Sequence, residues 1–269
     1  MPELPEVETV VRTLRTQIVG QRIKSVKVLW PRTVYEDTAF ASSVTGQRIC
    51  GIQRRGKYLI FELDHGYFSV HLRMEGRFFL TPIGEEPKKH THVVFLLDQT
   101  QLEFNDTRKF GRMRYSVNPP SENELADLGL EPFDAALTPA YCLGKAQSRQ
   151  LPLKTFLLDQ SVIAGLGNIY TDEVCFLAKL SPLKPVKRVT ESQWQELIGL
   201  MRMVLSEAIL AGGATVRSYT ASLGITGRFQ TALRVYGRSN QACVECGQPL
   251  IKTVIGQRSS VYCGHCQEE

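Results

Sequence analysis

Residues 58–72 read YLIFELDHGYFSVHL and contain two short apolar runs on either side of an Asp-His-Gly turn. Each run has the length of a β-strand and is rich in the aromatic and β-branched residues that pack well in sheets. Similar runs lie before and after it, namely RIKSVKVLW at 22–30, HVVFLL at 92–97 and QLEFND at 101–106. Several short strands in succession predict that residues 22–117 form a β-sandwich or a barrel.

A helical region is predicted after the strands. Residues 118–150 contain four prolines and no clear strand pattern, which predicts a connector. The segment TESQWQELIGLMRMVLSEAIL then carries an apolar stripe at helical spacing, and Thr190 and Gln193 fit a capping box at its start. The glycine pair at 212–213 marks its end. Helices are therefore expected from about 151 to 212.

A glycine turn, GLGNIY at 165–170, precedes another helical pattern. It lacks the third glycine of a dinucleotide-binding fingerprint. Glycines before a helix let backbone N–H groups approach an anion, and Asn168 would cap the helix and donate to the same phosphate. The alternative is a simple helix–turn–helix corner in which Asn168 only caps the helix. The turn by itself leaves both interpretations open.

Four of the seven cysteines lie in the last 27 residues, as CVEC and CGHC with sixteen residues between them. Two such pairs suit one tetrahedral zinc ion bound by four thiolates. Two disulfides are the alternative, but they would require a secreted protein and no secretory signal is present. The spacer suits a β-hairpin with Arg258 near its tip or in its second strand. The expected zinc ligands are Cys243, Cys246, Cys263 and Cys266.

Composition and charge narrow the possible classes of protein. The 269 residues suffice for two domains, and no window approaches the roughly 18 apolar residues of a membrane span. Without a targeting signal, a cytoplasmic protein is expected. The net charge of +5 is only a weak sign of nucleic-acid binding. The basic residues are, however, clustered, at 54–57, 88–90 and 108–114.

The chain starts MPELPEVETV, with two prolines and three acids in its first eight residues. Pro5 suits the first position of a helix, and Glu6 and Glu8 suit the positive end of the helix dipole. Pro2 and Glu3 lie before that helix, so helix chemistry does not explain them.

Together these segments resemble the bacterial formamidopyrimidine-DNA glycosylase family. PELPEVET, RRGKYLIFEL, HLRMEGR, DTRKFGRM, LLDQ, AGLGNIYTDE and the cysteine tail follow one another in the order of that family. The resemblance implies an α+β multidomain fold with an N-terminal catalytic β-sandwich and flanking helices (1–131), a helical helix-two-turn-helix domain (132–229) and a C-terminal zinc β-hairpin (230–269).

The implied function is base excision repair. Such an enzyme removes oxidised purines, 8-oxoguanine and formamidopyrimidines, from double-stranded DNA and then cleaves the strand as an AP lyase. The resemblance further implies one structural Zn²⁺, a monomer without membrane attachment, and activity in the bacterial cytoplasm at the nucleoid.

The resemblance also accounts for the N-terminus. In this family the initiator Met is removed, and the nitrogen of the exposed proline, here Pro2, is the nucleophile. An α-amine has a reference pKa of about 8, so a useful fraction is unprotonated at neutral pH. It attacks the sugar and forms a Schiff base, as catalytic lysines do. Glu3 matches the family's general acid, and Glu6 either supports the site or only complements the helix dipole.

Other roles carry over by motif. Lys57 matches a lysine that contacts phosphate and transfers a proton in β-elimination, and Arg258 matches the hairpin arginine of δ-elimination. His90 and Asn168 match phosphate contacts. The stretch AQSRQLPLK is less lysine-rich than usual, which leaves Arg149 to replace a basic phosphate contact.

A base in a duplex must be turned out of the stack before such a nucleophile can reach its sugar. Met74, Arg108 and Phe110 match the family residues that fill the resulting gap, although Met74 and Phe110 would otherwise be read as core. A loop after the long helix covers the turned-out base in this family, and position 218 carries Ser here where Thr is usual. The lesion-recognition residues are expected to be Val216, Arg217, Ser218 and Tyr219.

Two other functions fit parts of the chain. The endonuclease VIII branch prefers oxidised pyrimidines, but its N-terminus typically reads PEGPE where this chain has Leu4, and it usually lacks the Met, Arg, Phe set. A non-catalytic zinc-ribbon DNA-binding protein would explain the cysteines and basic clusters, but it would leave Pro2 and Glu3 without a purpose.

Overall fold

The structure, a computed structural model, describes residues 1–35, 37–119, 125–214 and 227–268, without the side chains of 37 and 38. Among these residues, no helix combines the length and apolar composition that crossing a membrane requires. The division into domains 1–131, 132–229 and 230–269 stays a prediction. By its internal contacts the chain divides into two compact units, Met1–Ala126 with Gly212–Gly227, and Asp127–Ala211 with Arg228–Glu269.

The first unit consists of two four-stranded antiparallel sheets and two helices. In chain order its elements are α1 (Leu4–Ile18), β1 (Ser25–Val28), α2 (Asp37–Val44), β2 (Ile49–Arg55), β3 (Tyr58–Leu63), β4 (Tyr67–His71), β5 (Arg77–Thr81), β6 (Thr91–Leu96), β7 (Gln101–Asn105) and β8 (Arg112–Ser116). One sheet has the strand order β1-β6-β7-β5 and the other has the order β2-β3-β4-β8.

Aromatic residues join the two sheets. Phe68 of β4 stacks on Phe61 of β3 with ring centroids 4.2 Å apart, and on Phe95 of β6 at 5.5 Å. Because β4 and β6 belong to different sheets, these contacts make the sheets the two layers of a sandwich. The predicted β-sandwich is confirmed.

Helix α1 packs on the sheet that contains β2. Its apolar face is buried, from Val7 to Ile18, as the helical spacing predicted. Arg15 donates two hydrogen bonds to the carbonyl of Ile52, at 3.1 and 2.8 Å. The helix begins at Leu4, so the prediction of Pro5 at the first position is wrong by one residue. Proline is tolerated in either place because the first N–H groups of a helix have no intrahelical partner.

The second unit contains the remaining helices. The predicted capping box of the long helix α6 (Glu191–Leu210) is confirmed, since Gln193 N donates to Thr190 Oγ1 at 3.3 Å and Thr190 N donates to Gln193 Oε1 at 3.0 Å. The prediction of a connector at 118–150 is wrong where Thr138 caps a short helix by accepting from Tyr141 N at 3.2 Å. The helices are α3 (Pro139–Ala146), α4 (Leu153–Leu157), α5 (Asn168–Leu177) and α6 (Glu191–Leu210).

The predicted hairpin in the cysteine tail is confirmed. Strands β9 (Ile251–Ile255) and β10 (Arg258–Tyr262) pair in antiparallel fashion. Gly256 and Gln257 connect them with φ values of 53° and 64°. Two successive positive φ angles match the twist of a two-residue hairpin. Arg258 is the first residue of β10, as expected.

Candidate functional site

The amino terminus is held by the carboxylate of Glu6. Pro2 and Glu3 are buried, and the N–H of Glu3 donates to Glu6 Oε2 at 2.8 Å. The N–H of Ala214 donates to the other oxygen, Oε1, at 2.7 Å. At Gly213, which has φ +83°, a Cβ would lie only 2.7 Å from Glu6 Oε1. Glu6 therefore joins the residue after Pro2 to the chain segment that follows α6.

Lys57 is buried in the two-residue turn between β2 and β3. Arg54 ties this turn to α1, because it donates to Gly56 O at 3.0 Å and to Glu8 Oε2 at 3.1 Å. Burial opposes ionisation of Glu8, but hydrogen bonds and charge from Arg12 and Arg54 outweigh it and lower its pKa. The amino-terminal half of α1 and the turn that carries Lys57 are thus held together.

His71, at the end of β4, was missed by sequence reasoning. Its Nδ1 accepts the N–H of Arg73 at 2.9 Å, and its ring meets the ring of Tyr58 edge-on at 4.6 Å. Burial and the charges of Arg73 and Lys57 lower the pKa of His71 from 6.5 to about 3, so the ring is neutral at pH 7. A cavity of about 130 Å³ beside it is lined also by Arg73, Arg112 and Arg114.

The three residues expected to fill the gap in DNA lie on two loops of the sandwich unit. Met74 is half-buried between β4 and β5. Arg108 is exposed after β7, and Phe110 is 45% exposed, so the reading of Phe110 as core is wrong. The Arg108 guanidinium carbon lies 4.9 Å from the centre of the Phe110 ring. An exposed aromatic ring beside a cation suits contact with nucleic-acid bases.

His90 lies on an exposed loop between β5 and β6 and has φ +70°. Two further basic residues, Lys88 and Lys89, precede it and are also exposed. Although burial opposes ionisation of Glu103, hydrogen bonds that include the N–H of Lys88 outweigh it and lower its pKa. The loop thus exposes its basic side chains, while its backbone is bonded to the buried carboxylate of Glu103.

Asn168 and Arg258 belong to the second unit. Gly167 is the N-cap of α5, in an extended conformation, so the prediction that Asn168 caps this helix is wrong. Asn168 is the first helical residue and donates from Nδ2 to Ser259 O at 2.9 Å. Its Oδ1 is buried without a hydrogen-bond partner. The structure therefore brings Asn168 to the residue that follows the exposed Arg258.

A buried ion pair anchors the hairpin. Lys154 Nζ donates to Asp172 Oδ1 at 2.7 Å and to Ser259 O at 2.8 Å. Asp172 also accepts from Ser260 Oγ at 2.8 Å and from Val261 N at 3.1 Å. Burial raises the pKa of Asp172 to about 6, although the charge and hydrogen bond of Lys154 act in the opposite direction.

Glu173, the next residue, is also fully buried. It accepts the N–H groups of Arg234, Val235 and Tyr236 at 2.8 to 2.9 Å. Sequence reasoning missed both acids of α5, Lys154, Glu103 of β7 and Asp106, the residue after that strand. The available signal was an acid inside an otherwise apolar pattern, as in YTDEVCF and QLEFND.

Arg149 has a partner within the protein. Its Nη1 lies 2.6 Å from Asp159 Oδ2, and both side chains are about one-third exposed. Burial opposes ionisation of Asp159, but hydrogen bonds from Ser161 and the hydrogen bond and charge of Arg149 outweigh it and lower its pKa. A phosphate at Arg149 would therefore compete with a carboxylate.

The four cysteines form one compact cluster. Their sulfur atoms all lie within 4.8 Å of one another, with Cys243–Cys266 at 3.9 Å and Cys246–Cys263 at 3.5 Å. A tetrahedral site with Zn–S bonds of about 2.3 Å requires sulfurs about 3.8 Å apart. The cluster thus fits one structural zinc ion. The remaining predicted site residues, Val216, Arg217, Ser218 and Tyr219, lie outside the described residues.

Fold and site together define a DNA-binding protein with a structural zinc hairpin. Three family models match the chain in order. They are the formamidopyrimidine-DNA glycosylase N-terminal domain at residues 1–113, the H2TH domain of the same enzymes at 128–220, and the zinc finger found in FPG and IleRS at 240–268. The chain belongs to the formamidopyrimidine-DNA glycosylase family.

Curated relatives carry that name. The protein of Geobacillus kaustophilus is 42% identical, and the match covers 99% of this chain and all of the relative. The protein of Bacillus cereus is 43% identical, and the match covers 99% of both chains. A solved complex of Lactococcus lactis Fpg with DNA containing N7-benzyl-Fapy-dG matches with TM-score 0.93 and 37% identity over both whole chains. A complex of MutM with DNA containing carbocyclic 8-oxo-G matches equally well, with the same coverage.

Proposed function

We propose that this protein, a DNA glycosylase for oxidised purines with AP lyase activity, attacks the damaged nucleotide with the nitrogen of Pro2. The observation that carries the proposal is the holding of the amino terminus by Glu6, which bonds the N–H of Glu3 and the N–H of Ala214. A buried carboxylate that orders the residue after a proline, in a chain of this family, fits a positioned nucleophile. From the base-excision function we also propose that the protein acts at the bacterial nucleoid.

The chemistry follows from the secondary amine. Once Met1 is removed, the lone pair of Pro2 attacks C1′ of the sugar. The bond from C1′ to the base breaks, the base leaves with that electron pair, and it gains the proton that the nitrogen of Pro2 loses. Glu3 donates a proton to the ring oxygen, the sugar opens, and an iminium ion forms at C1′. Because this nitrogen has no remaining hydrogen, the iminium ion keeps its charge and draws electrons from the sugar.

Strand cleavage uses the same iminium ion. Loss of a proton from C2′ expels the 3′ phosphate, and loss of a second proton, from C4′, expels the 5′ phosphate. Lys57 is proposed to contact the phosphate beside the lesion and to transfer the first of these protons. Arg258 grips a phosphate from the hairpin and assists the second elimination. Water finally releases the sugar fragment from Pro2.

The other basic and amide groups position the DNA. His90, Asn168 and Arg149 are proposed to contact phosphates, which fixes the register without reading sequence. Met74 and Phe110 fill the gap left by the turned-out base, and Arg108 offers donors to the orphaned partner base. Residues 216–219 are proposed to recognise the base itself. The zinc ion, held by the four cysteines, stabilises the hairpin that carries Arg258.

The test is a variant with one uncleavable residue before Pro2. The added residue makes the nitrogen of Pro2 an amide, which has no available lone pair. We expect normal binding to duplexes with 8-oxoguanine but loss of base excision, strand cleavage and borohydride trapping. The matched control carries a protease site that ends before Pro2, so that cutting it restores all three activities.

Two outcomes would contradict the proposal. Excision at the normal rate by the extended protein would exclude the amine of Pro2 as the nucleophile. A trapped adduct that maps to Lys57 would assign the nucleophile to a lysine. Duplexes with oxidised pyrimidines serve as a parallel substrate, and faster cleavage of these than of oxidised purines would place the protein in the endonuclease VIII branch.

A further inference from the structure

Strand β7 and the residue after it carry two buried acids that bond to two different loops. Glu103 and Asp106 are both 0% exposed. Each carboxylate accepts several hydrogen bonds. Those of Asp106 come from the loop that follows it. Those of Glu103 come from Lys88 in the loop between β5 and β6, from Thr81 and Thr91 at the two ends of that loop, and from Gln101 of β7. A buried carboxylate is costly unless it is well bonded, so these loops must adopt the conformations that supply the donors.

Asp106 holds the loop that carries Arg108 and Phe110. Its Oδ1 accepts Arg108 N at 3.0 Å, and its Oδ2 accepts Phe110 N at 2.8 Å and Gly111 N at 2.7 Å. The carbonyl of Asp106 also accepts Lys109 N at 3.2 Å. One residue thus binds four consecutive backbone N–H groups, which defines the path of the whole loop.

Neighbouring groups support the same path. Lys109 has φ +61°, and its ammonium group lies 4.0 Å from the centre of the Trp30 ring. Arg112 donates to Lys109 O at 3.0 Å. Gly111 fits tightly, since a Cβ there would clash with Phe104 Cζ. The backbone is therefore fixed from several sides, while the side chains of Arg108 and Phe110 remain exposed.

Glu103 holds the loop that carries His90. Its Oε2 accepts Lys88 N at 2.9 Å and Thr91 Oγ1 at 2.7 Å, and its Oε1 accepts Thr81 Oγ1 at 3.0 Å. Two adjacent groups extend the anchorage to the end of β7: the side chain of Asn105 donates to Lys89 O at 2.7 Å, and the N–H of Asp106 donates to His90 O at 3.0 Å.

We propose that Asp106 and Glu103 are positioning residues with separate tasks. Asp106 presents Arg108 and Phe110 in the conformation that enters the DNA, and Glu103 presents His90 to a phosphate. Since both acids belong to one strand end, the two loops keep a constant register to each other. This inference rests on the proposed function, because it assumes that these loops contact DNA.

The two tasks differ in what they do to binding. A side chain that contacts the orphaned base distinguishes one base from another, by roughly 5- to 150-fold for a good contact. A phosphate contact instead changes the salt dependence of affinity, by a slope of about one per contact. A residue that only stabilises the fold would change neither the base ratio nor the slope.

The first variant is Asp106→Asn, compared with Arg108→Ala in the full, zinc-loaded chain. We expect the ratio of kcat/KM for 8-oxoguanine opposite cytosine to that opposite adenine to fall at least about fivefold, towards the value for Arg108→Ala. The slope of log Kd against log salt should stay that of the wild type.

The second variant is Glu103→Gln, compared with His90→Ala. At pH 5.5, where an ordinary histidine side chain is cationic, the slope should become shallower by about one, and the opposite-base ratio should stay unchanged. Asp98→Asn is the control, because Asp98 accepts Arg22 N at 2.8 Å in the turn at the other end of β7. It should change neither quantity.

The inference is overturned if Asp106→Asn and Glu103→Gln have the same effect on the opposite-base ratio and on the salt slope, or no effect on either. This conclusion requires that Arg108→Ala lowers the ratio and His90→Ala lowers the slope, as expected. If Arg108→Ala and His90→Ala themselves change nothing, the proposed DNA contacts are wrong instead. Hydrogen exchange in the DNA-free wild type gives a measurement that does not depend on folding of the variants. The N–H groups of Arg108, Phe110 and Gly111 should be protected, and exchange at the rate of an open loop would also overturn the inference.

Discussion

Replacing Lys154 with Met tests the buried anchor of the zinc hairpin. The Lys154 and Asp172 side chains are 0% and 1% exposed and lie 2.7 Å apart. Methionine has similar length and fills most of the same space, so the variant removes the charge without leaving a large cavity. Asp172 keeps its two other donors, Ser260 Oγ and Val261 N.

The cost should depend on pH. Burial raises the pKa of Asp172 to about 6 in the wild type, and loss of the Lys154 cation raises it further. Both values exceed the 3.8 of an exposed aspartate, so each folded protein loses stability as the pH rises from 3.8 to its own folded pKa. Above pH 6 the wild type loses no more, but the variant continues to lose about 1.4 kcal/mol per pH unit.

At pH 8, two units above the wild-type pKa, this difference reaches at most about 3 kcal/mol, near the lower end of the roughly 3–5 kcal/mol found when one partner of a buried pair is removed. At pH 5.5 Asp172 is mostly protonated in both proteins, and most of the difference disappears. What remains is the lost hydrogen bond to Ser259 O, worth about 1 kcal/mol or less because Asn168 still donates to that carbonyl.

Urea unfolding of the zinc-loaded proteins at pH 5.5 and pH 8 measures both values. Lys252→Met is the control, because Lys252 is an exposed lysine on the same hairpin and should cost less than about 0.5 kcal/mol at either pH. An equal loss for Lys154→Met at both pH values, or a loss at pH 8 no larger than that of the control, would refute the reasoning.

Three further predictions concern other parts of the molecule. Chelation of zinc should unfold the hairpin and weaken binding to DNA, because few apolar residues besides the cysteines form its core; circular dichroism and recovery on adding zinc back would check this. The pKa of His71 is about 6.5 in the unfolded chain but about 3 in the folded protein, so the free energy of unfolding should decrease as the pH is lowered below 6.5. Urea unfolding of His71→Gln should show a weaker pH dependence. Gly111→Ala should cost about 1–3 kcal/mol and reduce opposite-base discrimination, because of the contact with Phe104, whereas Gly144→Ala, with open space around it, should cost nothing.

Local patterns in the sequence determined the elements of this protein. The strands of the sandwich follow from short apolar runs and their turn residues. The start of α6 follows from Thr190 and Gln193, which are three residues apart. The cysteine spacing indicated both a metal cluster and the hairpin between its pairs. In each case the interacting groups are near neighbours in the chain, so backbone geometry alone brings them together.

The candidate site was predictable from the sequence only in part. Motifs indicated Pro2, Glu3, Lys57 and Arg258 and left two roles open for Glu6, but they contained no sign of the other groups that hold these residues. The helix Pro139–Ala146 was missed because the four prolines of residues 118–150 suggested a connector. One of them, Pro139, occupies the first turn of this helix, where proline is tolerated.

Only the tertiary structure decided which acids hold the site. Glu6 meets the N–H of Ala214, which is 208 residues away, and Asp172 meets the hairpin across 88 residues. Asp106 binds its own loop, but its burial depends on packing between strands. An isolated Asp or Glu in a sequence is most often a solvated surface group. It becomes an anchor only when folding removes it from water and surrounds it with donors, and that environment is formed by residues distant in the chain.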